Sequence, residues 1–276
     1  MYKIIADSSC DITPDVQERL GIDLVPLTLN LGDDSYQDDE NLDLPNFLDK
    51  MKACAQRIGT AAPSPEFFKN AFVSGVKSFV ITLSSKLSGT YSSAFLAKNM
   101  AEEEGNPDVH VLDSKSASAA EILIALKLKD LIDKNMVMSA IIENIEKFID
   151  NMKTYFVLES LDNLIKNGRI NTIVAKIISA LNIKPIMKAD DKGEIAFHTP
   201  ARNPEQIIKK MADTIEKSGK TTEGERIVIT HCNNPGMAER LMNAIKERYN
   251  FDEILIFPMK GLSALYANIG GLIMAF

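Results

Sequence analysis

An α/β fold of two units is what this 276-residue chain predicts, the first a mostly parallel sheet flanked by helices and the second an α/β unit with a mixed sheet. Three observations carry that expectation. Short β-branched runs alternate with segments of helical period through the first half, the order of a parallel sheet with crossover helices. An amphipathic segment close to residue 150 closes one set of elements, and a fresh strand opens the next. A turn signal, Asp191-Lys192-Gly193, then separates two strand-like runs and introduces an antiparallel pair.

In chain order, YKIIAD (2–7), IDLVPLTLN (22–30), VKSFVITL (76–83) and DVHVLD (108–113) read as strands. Between and after them, TPDVQERLG (13–21), SPEFFKNAF (64–72), SAFLAKNMAEEEG (93–105) and AEILIALKLKDLIDK (120–134) read as helices. Thr13 before Pro14, and Ser64 before Pro65 and Glu66, pair a capping hydroxyl with proline at the first helical position. SAIIENIEKFIDNM (139–152) sets Ile141, Ile142, Ile145, Phe148, Ile149 and Met152 on one face, so it closes the first unit. The boundary falls at 153, giving units 1–153 and 154–276.

The second unit opens with TYFVLES (154–160), followed by a helix with Ser160 as cap and Gly168 as stop, and a further helix through INTIVAKIISALN (170–182). KPIMKADD (184–191) and GEIAFHTP (193–200) form the hairpin. A helix starts at Asn203-Pro204-Glu205 and ends at Gly219, and RIVITHC (226–232), the helix GMAERLMNAIKERYN (236–250), EILIFPM (253–259) and a terminal GGLIMAF strand (270–276) complete the chain.

With 45% hydrophobic and 25% charged residues and no Pro/Gly/Ser tract longer than a turn, the chain reads as globular throughout. A net charge of −7 disfavours binding along a nucleic-acid backbone, which needs a concentrated basic face. The start, MYKIIADSSC, holds one lysine and a short apolar run broken by Asp7, too little for a signal peptide. Elsewhere the longest apolar stretches are interrupted by lysine and too short for a membrane span, so the expected location is cytoplasmic. Cys10, Cys54 and Cys232 are widely spaced with no C-x-x-C pair, which suits reduced thiols and neither a disulfide framework nor a metal site.

The chemistry concentrates in SSKLSGTYSSA (84–94), at the end of a predicted strand and the start of a predicted helix. Ligands collect at such strand ends in open α/β sheets. A helix start offers unpaired N–H groups, Ser88 and Thr90 add hydroxyl donors, and Gly89 lets backbone approach a ligand. One capping hydroxyl would suffice for the helix alone, yet the stretch carries Ser84, Ser85, Ser88, Thr90, Ser92 and Ser93. Lys86 is the only nearby cation in sequence, which points to a small singly charged group. A second loop, RIGTAAPSPEFF, brings Thr60 beside the small Ala61 and Ala62, and DSSCDIT and LDSKSAS repeat the strand-to-helix pattern.

Enzyme signatures are missing or incomplete. There is no G-x-S-x-G elbow and no G-x-G-x-x-G after a strand. SGKTT (218–222) resembles the tail of a phosphate loop, but Thr214 stands where its first glycine belongs. DSSCD lacks the second aspartate of a phosphotransfer site, since that position is Ser9; Asp7 and Asp11 therefore read as acceptors for backbone N–H groups.

Taken together, DSSCDIT, TAAPSP, SSKLSGTYSSA, LDSKSAS, SLDNLIKNGRI, KPIM followed by a GEI turn, and Arg202 resemble the DegV family across nearly the whole chain. That family comprises bacterial fatty-acid-binding proteins that act as lipid-carrying subunits of fatty acid kinase. The resemblance implies a long-chain fatty acid in a buried apolar tunnel, its carboxylate held by Thr60 and Ser88. It implies Arg169 on the face that meets the kinase subunit, no cofactor beyond the lipid, and no chemistry in this chain itself. One departure bears on the site: Ala267 stands where the family carries a histidine, leaving Tyr266 or Asn268 as replacement donors. TAAP also differs from the serine and glutamine common in the proline loop. The alternative reading is a binder or enzyme for a small phosphorylated or carboxylated metabolite at the same strand ends.

Overall fold

The computed structural model describes residues 2–106, 108–170, 174 and 183–276. Strand β1 (Tyr2–Asp7), helix α1 (Pro14–Leu20) and strand β2 (Ile22–Val25) form the first parallel unit. The run read as one strand over 22–30 breaks at Pro26 and resumes as β3 (Thr28–Leu31) in another sheet. Proline has no N–H for the ladder, so the break falls where the donor is lost. β3 lies between β4 (Asp34–Gln37) and β5 (Ile58–Ala61), antiparallel to both, with α2 (Leu44–Ala53) connecting them.

Helix α3 (Pro65–Ala71), β6 (Lys77–Thr82), α4 (Thr90–Glu103) and β7 (Val109–Asp113) complete the four-stranded sheet in the order β2-β1-β6-β7, parallel throughout. Thr13 and Ser64 sit at the N-cap positions as predicted, each before a proline, but neither hydroxyl bonds to its helix backbone. Helices α5 (Ala119–Asp133) and α6 (Met138–Asn151) follow.

In the second domain β8 (Thr154–Val157), α7 (Asp162–Lys166), β9 (Lys184–Ala189), β10 (Ile195–Ala201) and α8 (Pro204–Ser218) precede β11 (Arg226–His231), α9 (Pro235–Lys246), β12 (Glu253–Pro258), α10 (Gly261–Ala267) and β13 (Leu272–Ala275). The sheet runs β10-β9-β8-β13-β11-β12, and only β11 and β12 pair in parallel. Asn203 caps α8 by accepting from Gln206 N, and Gly219, at φ 69°, ends it. Apart from Ile170 and Val174, the helix expected through 170–182 lies outside the described residues. Among the described residues no helix is long and apolar enough to cross a membrane, and all three cysteines are unpaired.

Helix α5 holds the two sheets together. It is buried almost all round, because it packs on β1 and β6 on one side and on β11 and β13 on the other. Ile122, Ile124 and Leu128 are fully buried there, in a cluster that includes Val228 and Ala275 of the second sheet. A second cluster joins Leu27, Leu29 and Phe47 around the three-stranded sheet to Phe156, Leu262 and Leu265. It forms the walls of the cavity described below.

The β9–β10 turn reaches back to the first domain, where Ser84 Oγ donates to Gly193 O at 2.7 Å. Gly193 has φ 84°, and a Cβ there would run into Ser84 Oγ and lie 3.0 Å from Lys115 Cα. Gly193→Ala therefore combines left-handed strain with a backbone clash, and is expected to cost about 2 kcal/mol. A urea melt of the variant checks this; a midpoint equal to the parent's removes the close approach.

Candidate functional site

A cavity opens where the strand ends of the first sheet meet α7, α10 and the β9–β10 turn. It contains about 830 Å³ of atom-free space, its mouth included. Leu27, Leu83, Phe156, Leu158, Leu164 and Leu262 give it mainly apolar walls. Hydrocarbon gains by entering such a space, at roughly 0.8 kcal/mol per methylene removed from water.

One end is polar, and contacts tie its residues into a chain. Thr60 Oγ1 lies 3.0 Å from the Tyr266 hydroxyl. The loop after Thr60 touches the Ser88 loop, since Ser93 Oγ donates to Pro63 O at 2.5 Å. Ser88 Oγ lies 2.8 Å from Thr90 Oγ1 and accepts from Thr90 N at 3.3 Å. Arg169 closes the arc: its Nε donates to Leu87 O at 2.7 Å, and the guanidinium also donates to Asn167 O.

Hydroxyl accounting shows what this end can recognise. Each pair, Thr60–Tyr266 and Ser88–Thr90, owns two protons and spends one on the mutual bond. Among the described residues one donor per pair remains, beside a permanent cation at Arg169. Such a set suits an anionic head with several acceptor oxygens, because charge-assisted bonds are the strong ones.

Of the residues singled out from sequence, Thr60, Ser88 and Arg169 line the cavity together with Tyr266 and Ala267. Thr90 stands one step behind and orients Ser88. Gly89 is exposed, with φ −74°, and an added Cβ would meet only Ala62 Cβ at 3.9 Å, so the backbone does not demand glycine there. Asn268 is not among the lining residues; it ends α10 with φ 56°, its N–H donating to Ala264 O. Of the two replacement donors, Tyr266 is the one the fold brings to the cavity. Lys86 is likewise absent from the lining, and Arg169, 83 positions beyond it, supplies the cation. Gly193, Glu194 and Ile195 also line the site. The sequence carried no sign of their part, since only the tertiary fold carries that hairpin to the first domain.

Beneath the cavity lies a group of buried acids. Asp7 accepts Ser9 N at 2.9 Å and Leu83 N at 2.8 Å, and burial pushes its carboxyl up to about 7. Asp11, also raised by burial to about 7, accepts the Ser118 hydroxyl and Lys260 N. Asp38 is raised for the same reason. Glu121 is fully buried with no partner in bonding geometry among the described residues, although the Ser9 hydroxyl and Asp7 adjoin it. Burial and the Asp7 charge keep it protonated well above the ordinary carboxyl range. Among the described residues no three His, Cys, Asp or Glu side chains are placed to hold a metal ion.

The sequence model of the DegV family, described as an uncharacterised protein family, matches residues 1–274. A DegV domain-containing protein of Streptococcus pneumoniae is 35% identical over 281 aligned residues, covering 100% of this chain and 98% of its own. A DegV family protein from Ruminococcus gnavus, refined with vaccenic acid, superposes with a TM-score of 0.93 at 36% identity, covering 100% of this chain and 99% of that one. The Streptococcus pneumoniae fatty acid kinase (Fak) B3 protein loaded with linoleic acid superposes at 0.91 with 34% identity, over 100% and 99% of the two chains.

The acids set a pH dependence whose sign follows from their direction of shift. Asp7 and Asp11 rise from 3.8 unfolded to about 7 folded, so the native state binds protons more tightly and stability is lost as pH rises through that window. The melting temperature is expected to be higher at pH 5.5 than at pH 8. Glu121→Gln should fold at both values, since the group it replaces is already neutral. A melting temperature that climbs from pH 5.5 to 8 would refute the reading.

Proposed function

Because the chain belongs to the DegV family, we propose that it binds a long-chain fatty acid, with the acyl chain in the apolar cavity and the carboxylate among Ser88, Thr60, Tyr266 and Arg169. The observation that carries this reading is the pairing of a hydrocarbon-lined interior with a polar end made of unspent donors. Burying about a dozen methylenes is worth roughly 10 kcal/mol gross, most of it offset by association and ordering. The donors are needed because an unpaired carboxylate there would cost several kcal/mol.

The site itself suits delivery. Ser88 and Arg169 are half-buried and Gly89 is exposed, so a bound head group would sit at the mouth within reach of a second protein. We take that protein to be a fatty acid kinase that phosphorylates the carboxylate to an acyl-phosphate in the cytoplasm, while this chain performs no chemistry of its own. Arg169 then serves twice, holding the carboxylate and facing the kinase. In this reading the two units are residues 1–153 and 154–276, and the lipid lies between them. A small polar metabolite would leave the leucine-rich walls unfilled, which disfavours the alternative.

Denaturing mass spectrometry of the purified chain is expected to release a fatty acid, and its absence from several growth media would overturn the proposal. Ser88→Ala and Thr60→Ala should each weaken binding by about tenfold, the cost of one hydrogen bond to a charged group. Unchanged affinity in both would move the carboxylate elsewhere.

A further inference from the structure

Helix α10 brings Tyr266 to Thr60, yet nothing within its own sequence caps it. Lys260 occupies the N-cap position and its side chain makes no capping bond. The N–H groups there are taken by carboxylates from the first domain. Lys260 N donates to Asp11 Oδ1 at 2.7 Å, Gly261 N to Asp38 Oδ1 at 2.9 Å and Leu262 N to Asp38 Oδ2 at 2.9 Å. Both acids are buried, at 0% and 2% exposure. The Ser118 hydroxyl binds Asp11 from the other side and meets Thr230 Oγ1 at 2.7 Å, so the same carboxylate links α5, β11 and α10.

Placing two acids in a core is costly, and the packing around α10 shows what they hold. A Cβ on Gly261 would lie 2.5 Å from Asp38 Oδ1 and 2.6 Å from Leu29 Cδ1, so the helix start is pressed against the carboxylate with no slack. Six residues downstream of Lys260, Tyr266 reaches the cavity. We propose that Asp11 and Asp38 are positioning residues for the head-group site: as carboxylates they pin the first turn of α10 and so set Tyr266 against Thr60. This rests on the fatty-acid reading of the cavity.

A neutral carboxyl is a weaker acceptor than a carboxylate, by about half the strength of the bond. Proton uptake therefore loosens the pin. The ionisable groups around Asp11 and Asp38 are Asp7, Glu121, Cys10, Cys232 and Lys260, of which only Lys260 is cationic. The charge is thus held chiefly by backbone N–H and hydroxyl donors, and the Asp11 part of the hold on α10 weakens as pH falls through about 7.

The test uses the full chain, stripped of lipid, with oleate as the probe. Asp11→Asn is expected to bind oleate about fivefold more weakly than the parent at pH 8 and equally at pH 6. In a Tyr266→Phe background the same substitution should cause no further loss. Amide hydrogen exchange at pH 8 should be faster at Lys260 in Asp11→Asn, and at Gly261 and Leu262 in Asp38→Asn. Equal weakening at both pH values, additive losses with Tyr266→Phe, or unchanged exchange at those amides overturns the proposal. If Asp11→Asn does not fold, Ser118→Ala keeps the carboxylate while removing a donor to it, and should move the parent's pH step upward; a step that stays put counts equally against the assignment. A parent chain that binds no oleate refutes the fatty-acid reading alone, since the exchange measurement still decides whether the acids pin the helix.

Discussion

Buried carboxylates that accept backbone N–H groups from distant segments fix the walls of the cavity. Asp7 holds Leu83, 76 residues away, at the head of the loop that carries Ser88. Asp11 holds Lys260 across 249 residues, and Asp38 holds Gly261 and Leu262 across more than two hundred. All three acids belong to the first 40 residues, and between them they anchor both the Ser88 loop and the helix that carries Tyr266. These anchors add to the apolar packing of Leu262 and Leu265 and to the hydroxyl pairs Thr60–Tyr266 and Ser88–Thr90. The apolar packing of α5 brings the sheets together; the carboxylates decide what the sheets present to each other.

The fold class was legible because its elements obey local rules. Strands β1 and β6 each carry a buried apolar centre, Ile4–Ala6 and Phe79–Ile81, and β7 holds Val109, Val111 and Leu112, a pattern that short buried strands of a parallel sheet share. The three-stranded sheet was not legible for the opposite reason: β4 and β5 are four residues each, hardly buried, and lack any apolar alternation. Helix α10 also gave no local signal, being seven residues long with lysine at its N-cap. Its support is tertiary, from the burial of Leu262 and Leu265 and from Asp11 and Asp38 at its first turn, so no reading of residues 260–267 alone could find it.

The site divides along the same line. Thr60 and Ser88 could be singled out because hydroxyls gathered at strand ends have a local meaning, and Asp7 and Asp11 were legible as acceptors of N–H groups, though not of which ones. Arg169 against Lys86 shows where proximity in sequence misleads. Lys86 follows Ser85 on an exposed loop and is not among the lining residues, whereas Arg169, just past the end of α7, lines the cavity and bonds to Leu87 O. The cation at this end of the cavity comes from the second half of the chain.

Stability and site geometry pull in opposite directions here. Asp7, Asp11, Asp38 and Glu121 are raised by burial, so the fold would gain from neutral or apolar groups in their place. Yet an apolar side chain at Asp11 or Asp38 would leave the N–H groups of Lys260, Gly261 and Leu262 without acceptors in a dry interior, at a cost of about 1–3 kcal/mol each. A capping serine at position 260 could satisfy one of them locally, but it would tie α10 to itself and not to the first domain. Only acceptors that reach across from the other domain can both satisfy those donors and fix the distance between Tyr266 and Thr60, which belong to different domains. The burial penalty is therefore tied to the interdomain geometry at the polar end of the cavity, and a chain relieved of the penalty would be a more stable protein with a less defined cavity mouth.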